Sequence, residues 1–220
     1  MKQVLIFGTS TFAEIVYYYL THDSSFTVAG FVSNSSDIQK NQMFDLPVVP
    51  FENIEKTFPP DNFSMFVAVG YIKVNKVRAD ICEQAKKKGY ELISYVNSKA
   101  TTWDDLDIGE NCFIFENNVI QPFTKIGNDV IMWSGNHIGH HTTVGDHCFI
   151  TSHVVVSGNV SVGSYCFLGV NSTIRDSIKI GSKCVIGAGS VILDNTKDNS
   201  VYTTMRAKLL DKSSDELEHF

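Results

Sequence analysis

From Ile108 to Ile192 an aliphatic side chain stands at every sixth position: Ile108, Ile114, Ile120, Ile126, Met132, Ile138, Val144, Ile150, Val156, Val162, Leu168, Ile174, Ile180, Ile186 and Ile192. These fifteen six-residue units, ending at Lys197, run without an insertion. Glycine follows directly at 109, 127, 139, 145, 163, 169, 181 and 187, and the fifth place holds mainly Cys, Ser, Thr, Val or Asn. A period of this kind predicts a parallel β-helix in which each unit is one short strand and one corner. The first and fifth residues point inward, and glycine is expected to let the backbone bend between strands. Three units close one triangular coil of eighteen residues, so the series predicts five coils stacked as three parallel sheets.

The preceding residues follow another pattern. Short apolar runs at Val4–Phe7, Phe26–Val32 and Met65–Val69 predict strands, alternating with helices over Phe12–Leu20 and the charged segment Asn75–Lys88. Leu46–Val49 adds a strand, Phe51–Phe58 a short helix and Glu91–Val96 a last strand. Such alternation predicts a small parallel sheet with helices on its faces. The expected organisation is an α/β domain over 1–97 and a β-helix with a C-terminal tail over 98–220, joined by a linker near Asn97–Asp107.

The turn after the first strand, Gly8-Thr9-Ser10-Thr11-Phe12-Ala13-Glu14, stands where a helix N-terminus holds phosphate through its free N–H groups and dipole. It is not a full G-x-G-x-x-G, and the second strand ends in Val32-Ser33-Asn34 without the acid that binds a ribose hydroxyl. A redox nicotinamide site is disfavoured, and a nucleotide held by its pyrophosphate is the better reading. Gly70, at the end of the third predicted strand, permits close ligand approach. Tyr71 beside it can stack on a base or pack on a loop, and Arg78 is either a solvated helix residue or a phosphate ligand.

The formal charge of −6 argues against a nucleic-acid surface, which needs clustered cations. No apolar run reaches the roughly 18 residues of a membrane span, and the first strand is too short for a signal-peptide core. These features predict a cytoplasmic protein. Cys112, Cys148, Cys166 and Cys184 all occupy fifth places and are expected inside the coils as free thiols.

Five of the seven histidines fall in the repeat: His137, His140, His141, His147 and His153. His clusters bind zinc, but His141, His147 and His153 are six apart and belong to different sides of a triangular coil. No metal site is expected within one chain.

The hexad series behind a small α/β domain, with Ile138-Gly139-His140-His141-Thr142-Thr143-Val144-Gly145 and then Ser157-Gly158-Asn159-Val160, resembles the bacterial sugar-nucleotide N-acetyltransferases of the hexapeptide-repeat acyltransferases. The sialic acid O-acetyltransferase proteins are similar. The resemblance spans Val4 to about Lys208 and implies a left-handed β-helix, a homotrimer, and acetyl-CoA as co-substrate with no metal. It implies an acetyltransferase acting on the amine of a nucleotide-linked deoxyamino sugar for surface glycan, lipopolysaccharide or O-antigen synthesis. The alternatives are sugar O-acetylation and a trimer that binds sugar nucleotide with impaired catalysis.

By the same resemblance His140 is the base, His141 its neighbour in catalysis, and the Gly158 N–H an oxyanion donor. Ser10, Thr11 and Phe12 map to the pyrophosphate loop and Ser33, Asn34 and Gly70 to the nucleotide edge. Trp133 and Asn136 map to the sugar, and Phe149, Val170 and Ala188 to the CoA path. Relatives often carry Glu or Asp after the catalytic histidine where this chain has His141, and Thr204-Met205-Arg206-Ala207 replaces their usual Gly-x-Pro-Ala. Phe113, Phe149 and Phe167 are expected to pack between the three prisms.

Overall fold

The computed structural model describes residues 3–211 and 213–216. Its N-terminal strands are β1 (Gln3–Phe7), β2 (Val28–Ser33), β3 (Gln42–Met43), β4 (Leu46–Pro50) and β5 (Phe63–Val67), and its helices are α1 (Thr11–His22) and α2 (Lys76–Lys87). They form one sheet in the order β3-β4-β2-β1-β5, parallel except for β3 against β4. The unbroken apolar run of β1 follows from burial on both faces. Val4 and Ile6 pack with Ala13, Val16 and Leu20 of α1, while Leu5 and Phe7 pack with Ile81, Cys82 and Ala85 of α2.

The expected last strand does not form as predicted. Leu92 makes a single bridge to Met65, whereas Tyr95–Val96 pairs in parallel with Phe113–Ile114 of the coil. The cause is register: these partners are already eighteen apart, so coiling begins ahead of Ile108. The expected linker is itself coil, with Thr101 bridged to Val119 and the N–H groups of Asn97 and Thr101 donating to the carbonyls of Ile114 and Asn118.

Beyond this point the chain is a left-handed parallel β-helix. Each strand from Asp107–Ile108 to Val191–Ile192 is two residues long, and its second residue is the inward aliphatic of the hexad. The backbone turns at the fourth place. Residues 111, 117, 123 and so on to 189 all have φ between 54° and 78°, the left-handed region that Asn, Asp, His and Gly tolerate best. His141, His147 and His153 are three of these corners, on three different edges of the prism.

The glycines in the second place have a different role from the one expected. None of them is left-handed. A Cβ at Gly145 would lie 2.7 Å from the Ser164 nitrogen, and one at Gly163 2.6 Å from that of Ser182. They are glycine because the next coil stacks too closely for a side chain.

The outward residues give each face its character. Asp107, Lys125, Thr143, Ser161 and Lys179 make one face polar. A second carries Val119, His137, Val155, Thr173 and Val191, with Val119 and Val155 each 38% exposed and Val191 61%. The third carries Phe113, Ile131, Phe149 and Phe167 and is covered by the N-terminal domain. Phe113 meets Phe12, Tyr19, Phe66 and Tyr95, and Tyr71 packs on Phe149 and Phe167. The phenylalanine stripe expected between prisms is thus consumed inside the chain, because the N-terminal sheet needs an apolar partner of its own. Among the described residues no helix is long and apolar enough to cross a membrane.

Candidate active site

Strand β1 has β2 on one side and β5 on the other, so the connections diverge beyond its carboxyl end, where open parallel sheets place ligands. Gly8 lies there with φ of 128°, and a Cβ on it would be 2.7 Å from the Ala68 carbonyl oxygen. Only glycine fits. Ser10 caps α1 in an extended conformation without a side-chain capping bond, and the first N–H groups of a helix have no partner within it. Thr9, Ser10, Glu14, Asp37, Gln39, Lys40 and Met43 line a cavity of about 300 Å³ at this end.

The residues expected here divide. Ser10 and Thr11 are exposed, but Phe12 is buried with its ring against Phe113 and Trp133, leaving its backbone as the available part. Ser33 is buried, and the Asn34 amide donates to Asp37 at 3.2 Å. Gly70 has open space where a Cβ would stand. Thr9 belongs to the turn read from the sequence, whereas sequence reasoning missed Asp37, Gln39 and Lys40. Asp37 and Lys40 fall in the aperiodic stretch after β2, where no pattern singled them out.

His140 stands one residue ahead of a corner, exposed, with its backbone N–H donating to Gln121 Oε1 at 2.9 Å. Its ring lies against Gly158 of the next coil: a Cβ there would be 2.8 Å from both Nε2 and Cε1. The Nδ1 atoms of His140 and His141 are 3.1 Å apart. His141 has φ of 58°, donates its backbone N–H to the Pro122 carbonyl at 3.2 Å, and sets its ring 4.7 Å from that of the exposed Phe123. His140, His141 and Gly158 therefore form one cluster on one edge of the prism. His147 is elsewhere, bonded to Asp129 at 2.9 Å, and His153 packs over Gly135 on the third edge.

Other expected contacts are placed differently. Asn136 occupies a fifth place and is buried inside the coil, donating to Asn118 Oδ1 and the Trp133 carbonyl while accepting from the Val154 N–H. The inward rule for fifth places already contained that position. Trp133 stacks on Phe115 at 4.7 Å within the contact between the two parts of the chain. Phe149 is buried beneath Tyr71 with the Arg78 guanidinium 5.7 Å from its ring centre. Val170 and Ala188 are exposed, on the prism edge across the valine face from His140.

Arg78 is neither solvated nor free for a phosphate. It is fully buried, donating to Asp129 Oδ1 at 2.7 Å and to the carbonyls of Gly70, Asp129 and Cys148. Asn75 beside it donates to the Cys166 carbonyl. These contacts fasten α2 and the loop after β5 to the coil. Burial, with Asp129 alongside, pushes the Cys82 thiol well up, and burial raises Cys112 to about 12 and holds Cys148 high, while the hydrogen bond from Cys148 lowers Cys166, which is fully buried inside the coil. Among the described residues no group of three His, Cys, Asp or Glu side chains is arranged to hold a metal.

A histidine corner on a six-residue coil has counterparts. Residues 123–158 match the bacterial transferase hexapeptide (six repeats), and 159–194 match the hexapeptide repeat of succinyl-transferase. The chain is a transferase whose residues 123–194 carry the hexapeptide repeat.

Among solved structures it is similar to PerB from Caulobacter crescentus in complex with CoA and GDP-perosamine. That likeness has 25% identity, a TM-score of 0.81, and covers 91% of this chain and 93% of that one. The acetyltransferase domain of PglB from Neisseria gonorrhoeae, in complex with acetyl coenzyme A, gives 22% identity and a TM-score of 0.79 over 91% and 95%. WeeI from Acinetobacter baumannii gives 16% and 0.78 over 91% and 96%. The last two likenesses show the shared fold. No curated protein sequence matches the chain.

Proposed function

We propose that the chain transfers the acetyl group of acetyl-CoA to the amine of a nucleotide-linked deoxyamino sugar, with His140 as general base. The observation that carries this reading is the exposed His140 imidazole lying against Gly158 on a hexapeptide-transferase coil. The CoA and GDP-perosamine held by PerB support it. An amine attacks only when unprotonated, and imidazole is the side chain suited to take its proton near neutral pH. The C–N bond forms at the thioester carbonyl while Nε2 of His140 accepts the amine proton. The oxyanion gains a hydrogen bond from the Gly158 N–H. Collapse breaks the C–S bond, and the imidazolium returns its proton to the departing thiolate. The reaction needs neither a covalent enzyme intermediate nor a metal.

The sugar nucleotide sits with its pyrophosphate over the Ser10–Phe12 turn, its nucleoside toward Ser33, Asn34 and Gly70, and Lys40 supplying a cation at the rim. The coenzyme runs along the edge carrying Val170 and Ala188. That edge and His140 lie on opposite sides of the valine face, so we read the working unit as a homotrimer in which a neighbour's edge completes the site. The amide product serves surface glycan or O-antigen assembly in the cytoplasm. Ser10→Asp places a negative charge where the pyrophosphate binds, beside Glu14 and Asp37. It is expected to weaken sugar-nucleotide binding at least about tenfold by like-charge repulsion and leave acetyl-CoA binding unchanged. Calorimetry with each ligand checks this, and equal loss of both would contradict the placement.

A further inference from the structure

We propose that His141 is a positioning residue that works as a neutral proton acceptor, fixing His140 in the tautomer whose Nε2 is free to take a proton. The inference rests on His140 being the base. Two imidazole Nδ1 atoms 3.1 Å apart cannot both present lone pairs, so one carries hydrogen and the other accepts. The nitrogen set against Gly158 is Nε2 of His140. A base must have that atom bare, which puts the proton on Nδ1 of His140, donating to Nδ1 of His141, and the His141 proton on Nε2.

The surroundings hold this arrangement and supply no alternative to it. Gln121 Oε1 anchors the His140 N–H, the Pro122 carbonyl anchors that of His141, and the Phe123 ring lies against the His141 ring. From the following coil Gly158 lies against His140, and the Asn159 N–H donates to the His140 carbonyl. None of these neighbours titrates. Phe123 is itself one of the left-handed corners of the coil, with φ of 64°.

His141→Asn separates the roles: asparagine tolerates the left-handed corner, offers a carbonyl acceptor and does not titrate. His141→Ala removes the acceptor. Nitrogen NMR of the full chain with ¹⁵N-labelled histidine at pH 8, assigned with His140→Asn and His141→Asn, reads the tautomers without turnover. The expected result is hydrogen on Nδ1 of His140 in the wild type and in His141→Asn, and its loss from Nδ1 in His141→Ala. In parallel, release of CoA thiol should give His141→Asn a kcat within about threefold of wild type and His141→Ala a kcat at least about tenfold lower. Hydrogen on Nε2 of His140 in the wild type, or one tautomer throughout, overturns the proposal. Full activity in His140→Asn would sink the base assignment while leaving the tautomer result standing.

Discussion

Replacing His140 by Asn or Ala is expected to lower kcat by about 10² to 10⁴, the range for loss of a general base, with acetyl-CoA affinity retained. Stopped thiol release for kcat and calorimetry for affinity separate the two effects. The loss should fall on kcat because the imidazole is exposed at a corner and carries no part of the core. Gly158→Ala is a milder version of the same experiment. Its Cβ would stand 2.8 Å from the His140 ring, so the ring must move, and a fall in kcat with the fold intact is expected. His141→Glu places an anion beside His140, which favours imidazolium, raises the pKa of the base and so shifts the acidic limb of kcat/KM upward in pH. Should His141→Ala be as damaging as His140→Ala while His141→Glu is dead, the base is His141.

Arg78→Ala is expected to destabilise the chain by about 3–5 kcal/mol, the cost of leaving one member of a buried ion pair without its partner. Asp129 would keep Asn111 and His147 as hydrogen-bond partners but lose the buried cation, and the carbonyls of Gly70 and Cys148 would lose a donor. Because Arg78 ties the loop after β5 to the coil, sugar-nucleotide affinity should fall as well. Denaturant unfolding of Arg78→Met, of Asp129→Asn, which tolerates the left-handed corner, and of the double variant measures the coupling. The double variant should cost less than the two single changes summed, since it leaves no uncompensated charge. An Arg78 variant within about 1 kcal/mol of wild type contradicts the role given to Arg78.

The two parts of the chain differ in how far the sequence reveals them. The hexad period determines the coil because every inward position is fixed by a strict repeat, and it extends into Tyr95–Val96, where Val96 still marks the register. The period does not say which outer face meets which partner. Phe113 and Phe149 read as interface residues, and only tertiary packing shows that the N-terminal sheet claims them. Arg78 lies in a helix of charged residues and shows no pattern marking it as buried; its partner Asp129 is a coil corner 51 positions away. Asn136 was legible, since its fifth place put it inside. The histidine cluster was legible by resemblance, but the 3.1 Å contact that decides its proton arrangement depends on corner geometry that no sequence pattern records.

The most direct test of acetyl transfer to an amine is product analysis. The full chain is incubated with acetyl-CoA and a panel of nucleotide-linked amino sugars and their hydroxy counterparts, while free thiol is followed and the product taken to mass spectrometry before and after mild alkali. The account predicts stoichiometric thiol release with an amino sugar nucleotide and one acetyl group that survives alkali, as an amide does. Thiol release with the hydroxy sugars alone, giving an alkali-labile ester, would contradict it.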